Sequence, residues 1–141
     1  AFVNPDVDVG IRILRCWVGQ SANATSAQNR VQLNTQVTAF PTLTSTTPAK
    51  TSVIDQVSSI VGGTAGAAGT SGTNASVEGA GAKTVILSDA FNVLNGWLWV
   101  PTPGEVIDLN ASAAAGFGLH LPVAPTTLTN WVFGVTFQEL A

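Results

Sequence analysis

Hydrophobic and polar residues alternate along much of this chain, most sharply at its end. Trp131, Phe133, Val135 and Phe137 fall on one side of a period-two pattern, with Val132, Gly134, Thr136 and Gln138 on the other. Aromatic and β-branched residues in strict alternation predict a strand with one heavily buried face. An apolar strand at an open edge invites aggregation, so the pattern places this one in the interior of a sheet. The small residues on its opposite face leave room for a second body.

The same period runs through the first forty or so residues. Val7, Val9, Ile11 and Ile13 alternate with Asp8, Gly10 and Arg12. Parity then slips at Leu14, and Leu14, Cys16 and Val18 carry the apolar pattern opposite Arg15 and Trp17. A slip of one residue predicts a bulge in a long, bent strand paired on both sides. Val31, Leu33, Thr35 and Val37 next face away from Gln32, Asn34, Gln36 and Thr38, a half-solvated strand that stops before Pro41. From Lys83 onward, KTVILSDAF, LNGWLWV, GEVIDLNA, GFGLHLPV and TNWVFGVTFQEL read as five strands. Their joints are short and rich in turn residues, as at Asn95–Gly96 and Pro101–Gly104. With a further strand in the Thr-rich stretch after Pro41, the count is about eight, which predicts an all-β fold: an antiparallel two-sheet jelly-roll sandwich.

Three stretches depart from the alternation. Residues 1–6 (AFVNPD) have no periodicity and read as an extended N-terminal arm ahead of a single domain spanning 7–141. Ile54, Val57, Ile60 and Val61 stand at helical spacing, a short helix or helical turn. Residues 62–82 are almost wholly Gly, Ala, Ser and Thr and read as a long surface loop.

Composition adds a constraint on the surface. Charged residues make up 9% of the chain, against about 25% in ordinary soluble domains. Hydroxyl-rich loops account for part of the shortfall; an outer surface that faces other protein accounts for it equally well. Net charge is −3, and Arg12, Arg15, Arg30, Lys50 and Lys83 are scattered, so a nucleic-acid partner is not expected. The lone Cys16 excludes an internal disulfide and any multi-cysteine metal site, and reads as a buried, inert thiol. No apolar run approaches the ~18 residues of a membrane span. The chain has no Met and starts at Ala1, which fits removal of an initiator Met and synthesis in the cytoplasm. Asn-x-Ser/Thr triplets at Asn23, Asn74 and Asn110 occur no more often than this composition gives by chance.

Candidate chemistry is sparse. The one histidine, His120, lies on the opposite parity from Phe117, Leu119 and Leu121 and reads as structural. Lys83 in GAGAKT lacks the Gly-Lys dipeptide and the strand–loop–helix setting of a phosphate loop. Zinc lacks ligands. Asp6 and Asp8 form a pair in the arm, while Asp89, Glu105 and Asp108 lie on separate strands, so a carbonyl-rich ion site between subunits stays open. Glu105 and Asp108, three apart on a strand, point to opposite faces and cannot make a glycosidase pair. Trp97 and Trp99 share a side, where they either stack on a sugar ring or pack beneath a neighbouring sheet or subunit. No enzyme activity, cofactor or metal is expected.

Phe91–Asn92, then GWLWVPTPGEVIDL, an Ala/Gly-rich turn, the GFGLHLP strand and the aromatic strand ending in Gln138–Glu139 form a sequence of motifs. It resembles small proteins encoded in the structural gene blocks of tailed bacteriophages. Those proteins are similar to trimeric jelly rolls of the tumour-necrosis-factor/C1q type, and some are capsid decoration (cement) proteins. VGIRILRCW followed by RVQLN resembles the family's opening strands. The likeness is strongest over about a third of the chain, and residues 62–82 lie outside it. The resemblance implies a homotrimer on the capsid surface of a virion, bound to the major capsid protein and stabilising the shell. It implies axis-lining positions among Trp97, Trp99, Phe117, Leu119, Trp131 and Phe133, and a shell-binding arm of Ala1, Phe2, Val3, Asn4, Pro5 and Asp6. An alternative is the receptor- or glycan-binding head of a tail or surface fibre, with Trp97 or Trp99 as a stacking platform.

Overall fold

A computed structural model describes residues 1–22, 25–49, 59–64, 66–112, 115–125 and 130–140. The described chain is all-β. Its strands are β1 (Phe2–Val3), β2 (Gly10–Gln20), β3 (Gln28–Gln36), β4 (Thr42–Ser45), β5 (Val61–Gly62), β6 (Thr70–Val77), β7 (Lys83–Asn92), β8 (Trp97–Trp99), β9 (Ile107–Leu109), β10 (Gly116–His120) and β11 (Trp131–Leu140). They form two sheets packed as a sandwich. The larger runs β4-β6-β1-β10-β3-β7 with β5 beside β6; the smaller runs β11-β2-β8, with β9 also on β2. Every pairing is antiparallel except that of β5 with β6.

All the strands expected from alternation are present, and β1, β5 and β6 join them. β2 is the spine of the smaller sheet, with β11 on one side and β8 and β9 on the other. Its parity slip is a bulge. Thr136 pairs with Arg15 and Phe137 with Ile13, so Leu14 is the extra residue. Two consecutive side chains, Leu14 and Arg15, consequently face solvent, while Ile11, Ile13, Cys16 and Val18 all reach the core. A bulge lets one strand keep its apolar set inward through a bend that strict alternation could not follow.

The core lies between the sheets. β2 contributes those four residues, β9 Ile107 and Leu109, β3 Val31 and Leu33, β10 Phe117 and Leu119, and Val3, Phe91 and Ile60 close it. Trp97, Trp99, Trp131, Phe133, Val135 and Phe137 pack against it while half-buried. Full burial of one such large side chain contributes about 1.5–3 kcal/mol.

The structure corrects four expectations. Residues 1–6 are not an arm: Phe2 and Val3 pair with β10 on one side and β6 on the other. Ala1 exchanges both backbone hydrogen bonds with Leu119, at 2.9 Å each. Phe2, Val3, Asn4 and Pro5 are buried, with Asn4 Oδ1 accepting from the Gly66 N–H at 2.7 Å. The cause is a slot above β10, whose outward positions Gly116 and Gly118 are bare. The Phe2 ring fills the space a side chain at 116 would need.

Residues 62–82 are not one loop, because β6 lies inside the larger sheet. Its Thr and Ser hydroxyls bind backbone: Thr70 Oγ1 donates to the Thr64 and Ala67 carbonyls, and Ser71 Oγ to that of Thr46. β11 is not interior but the outermost strand of the smaller sheet among the described residues. Alternation reports that one face is buried and carries no information about how many neighbours a strand has. Finally, the polar row of β3 is only partly solvated: Asn34 and Gln36 are 2% and 1% exposed, while Thr38 is exposed. Of the expected helix, residues 54–58 lie outside the described residues; Val61 and Gly62, at its end, form β5.

Candidate functional site

The side chains with most chemical capacity gather on the outer face of the larger sheet. There the parity of β10 turns Gly116, Gly118 and His120 away from the core, opposite Phe117 and Leu119. The segments around residues 38–41 and 78–83 cross this face. Gly79 has φ +79°, and Gly81 lies so tightly against the Thr38 carbonyl that a side chain there has no room. Gln36 reaches up to this layer, its Nε2 donating to the Thr38 and Ala39 carbonyls at 3.2 and 2.8 Å. Phe40 folds back onto Phe2, edge to face, with ring centroids 5.8 Å apart.

His120 stands between two partners. Its Nδ1 is 2.7 Å from Asn34 Nδ2, and its Nε2 faces Glu78 Oε1 at 3.6 Å. Lys83 Nζ donates to the same Glu78 oxygen at 2.6 Å. A carboxylate can only accept, so the tautomer that suits both neighbours carries its proton on Nε2 and accepts at Nδ1 from the Asn34 amide. Burial holds the His120 pKa below its ordinary value; Glu78 works against that shift and Lys83 with it. The Lys83 hydrogen bond keeps the Glu78 carboxyl below its ordinary range. Phe2, Pro41, Leu43, Glu78, Lys83 and His120 line a cavity of about 60 Å³ beside the cluster, room for a water or two. With Nδ1 engaged by a donor and Glu78 neutralised by Lys83, the arrangement clamps the 78–83 crossing to β10 and β3.

The axis-lining positions separate into two groups. Phe117 and Leu119 are fully buried in the core of their own protomer and cannot line an axis between copies. Trp97, Trp99, Trp131 and Phe133 also face inward, packed against that core and half-exposed. Phe91 and Trp131 meet edge to face at 6.2 Å, and Trp97 Nε1 donates to Asp89 Oδ2 at 3.0 Å. In this packing both paired tryptophans contribute to the core of their own protomer. The arm positions Ala1, Phe2, Val3, Asn4, Pro5 and Asp6 belong to the interior strand and slot already described, so they are not free to reach a shell.

Four of the scattered acids, Asp6, Asp89, Glu105 and Asp108, each have a local partner. Asp108 accepts a two-pronged ion pair from Arg12, both contacts at 2.7 Å. Glu105 accepts from Thr102 Oγ1 at 2.9 Å, and Asp6 from its neighbour's backbone at Val7. Among the described residues no three His, Cys, Asp or Glu side chains gather as metal ligands would. Burial pushes the Cys16 thiol up to about 12, far from reactive thiolate character.

One surface escaped the sequence reading. On the outer face of the smaller sheet, Trp17 lies across Gly134, and the Arg15 guanidinium sits 4.9 Å over the indole centroid. Beside them Leu98 is 63% and Val132 50% exposed. The signal was the same alternation: residues opposite Trp97 and Trp99, or opposite Phe133, had to face out. Comparison with known proteins finds no match, whether to a family model, to a curated protein or to a solved structure.

Proposed function

We propose that this chain is a structural protein that works by contact: a decoration protein that binds the outer surface of a viral shell in linked copies and stabilises it. The observation that carries this reading is the surface. Leu98, Val100, Val132, Val77, Val85 and Ile86 are all exposed on a chain with only 9% charged residues. Interface cores are depleted in charge. The resemblance over Phe91–Leu140 supplies the setting. Linked copies turn weak individual contacts into tight attachment, because each contact raises the effective concentration of the next.

Attachment in this reading uses sheet faces and loop ends. The buried segment 1–6 serves the fold, so deleting it destroys the binder and reports nothing about an arm. Co-sedimentation with purified shells tests the proposal. The expected result is saturable binding and a rise in the temperature at which shells open; shells that neither bind the chain nor gain stability overturn it.

A further inference from the structure

The corner between β7 and β8 carries the chain from the larger sheet to the smaller one. Three hydrogen bonds shape it. The Asn92 carbonyl accepts from the Asn95 N–H at 3.0 Å and from the Gly96 N–H at 3.2 Å. Asn92 Oδ1 accepts from the Leu94 N–H at 3.0 Å. Residue 96 takes φ +68°, and a side chain there would stand 2.9 Å from the Val18 carbonyl, so the turn calls for glycine. That glycine directly follows Asn95, which is exposed and whose side-chain amide has no hydrogen-bond partner among the described residues. The fold thus maintains an Asn-Gly pair with the asparagine side chain unheld.

A backbone nitrogen can attack the side-chain carbonyl of the asparagine before it, provided that the next residue does not crowd the approach and the amide is free to swing. Asn92, in the same turn, meets neither condition. Its Nδ2 donates to Ser26 Oγ at 2.6 Å, and the residue after it is buried Val93, whose N–H is bonded to the Ala27 carbonyl at 3.0 Å. Asn34 is buried and bonded to His120. Asn4 is buried and precedes Pro5, which has no N–H to give up. Asn95 is the one asparagine in the sequence that precedes glycine. What restrains it is the Gly96 hydrogen bond. At 3.2 Å this bond lies at the long end of the usual range, and it shares its acceptor with Asn95. Local opening of an exposed turn releases it without unfolding either sheet.

We propose that Asn95 is a site of spontaneous covalent modification, its side-chain amide converting to a carboxylate in the folded chain. The Gly96 nitrogen gives up its proton to a solvent base and attacks Asn95 Cγ. A C–N bond forms there, the bond from Cγ to Nδ2 breaks, and the nitrogen leaves as ammonia with a proton taken from solvent. The resulting succinimide ring takes up one water. Opening at Cγ leaves an ordinary aspartate; opening at the backbone carbonyl leaves isoaspartate, with the chain routed through the side chain. Nothing is oxidised or reduced. Either product makes the chain one unit more negative than its present −3. Isoaspartate also adds a methylene to the backbone of a corner that Trp97 Nε1 and Asp89 Oδ2 tie across at 3.0 Å. The inference stands apart from the shell role and concerns the free protein.

The test holds the purified, folded chain in mildly alkaline buffer and follows it by ion exchange and by peptide mapping with mass spectrometry. A more acidic species is expected to accumulate, faster as pH is raised. Its amide-to-acid mass change is expected in the peptide that contains Asn95, with isoaspartate detected at that position. Asn95→Ser removes the reacting amide from an exposed position, and is expected to keep the wild-type melting temperature and to form no such species. The same chain held in denaturant is expected to convert faster, because the Gly96 hydrogen bond no longer restrains it. A folded chain that stays unmodified while the denatured chain converts overturns the proposal. So does a new carboxylate at Asn92 or at another asparagine in place of Asn95. An Asn95→Ser chain that acidifies at the wild-type rate overturns it as well.

Discussion

His120 shows how one side chain's surroundings set a pH dependence. Its pKa is held below the ordinary 6.5 in the folded chain, chiefly by burial. The unfolded chain therefore takes up a proton first as pH falls. The stability associated with a neutral His120 is complete above pH 6.5 and declines as pH drops below that value towards the depressed folded pKa. Denaturant melts between pH 7.5 and 5 are expected to show this decline on top of a second one from the Ala1 amino group, which burial lowers from 8.0 to about 5, and His120→Gln, which cannot titrate, to make the profile shallower without abolishing it. Phe117 gives a second expectation at this scale. It is fully buried, so Phe117→Ala should cost about 3–5 kcal/mol in a denaturant melt. At Gly116 the Phe2 ring occupies the space of the missing side chain. Gly116→Val should cost about 1–3 kcal/mol by overpacking, and the loss should shrink when Phe2→Ala is added.

β1 is only two residues long, yet it joins two halves of the larger sheet, β4-β6 and β10-β3-β7. Deleting residues 1–6 exposes the edges of β6 and β10 and the bare Gly116–Gly118 slot. The expected outcome is loss of cooperative thermal unfolding by circular dichroism; a deletion that melts like the full chain contradicts the assignment of β1. What the sequence makes legible follows the same division between elements. β2, β3, β7 and β11 announce themselves because each has one apolar row, and the Leu14 bulge is visible because it breaks such a row. β6 is silent because TSGTNASV has no row to read, and its order comes from hydroxyls bonded to distant backbone. Asn34 and Gln36 look solvated from β3 alone, because the segments that cover them come from residues 38–41 and 78–83. The His120 cluster was half legible: parity gives its outward direction, while its partners Asn34, Glu78 and Lys83 come from three other places in the chain.

Across the whole molecule, the inner faces of both sheets are consumed by a single core, and that decides where partners can bind. The aromatic residues that dominate the sequence, Trp97, Trp99, Phe117, Trp131 and Phe133, are committed to the protomer. Open to assembly among the described residues are the outer faces, with Trp17, Leu98 and Val132 on the smaller sheet and Val77, Val85 and Ile86 on the larger. Leu98→Asp tests the outer face of the smaller sheet. It is expected to leave the melting temperature within a degree or two of wild type, because Leu98 is largely exposed, and to weaken shell co-sedimentation if that face meets the shell.

The position of β1 also governs how the chain can be made. Phe2 pairs with Gly118 and Val3 with Phe117, so β1 waits for a partner synthesised roughly 115 residues after it. At about 5–20 residues per second, the nascent chain spends several seconds with its larger sheet in two unjoined pieces. Closure has to wait until β10 has been made, and it is slow, as long-range pairing generally is. In that interval the unjoined strands are the chain's main exposure to misassembly, and crowded, rapid expression should favour inclusion bodies over native protein.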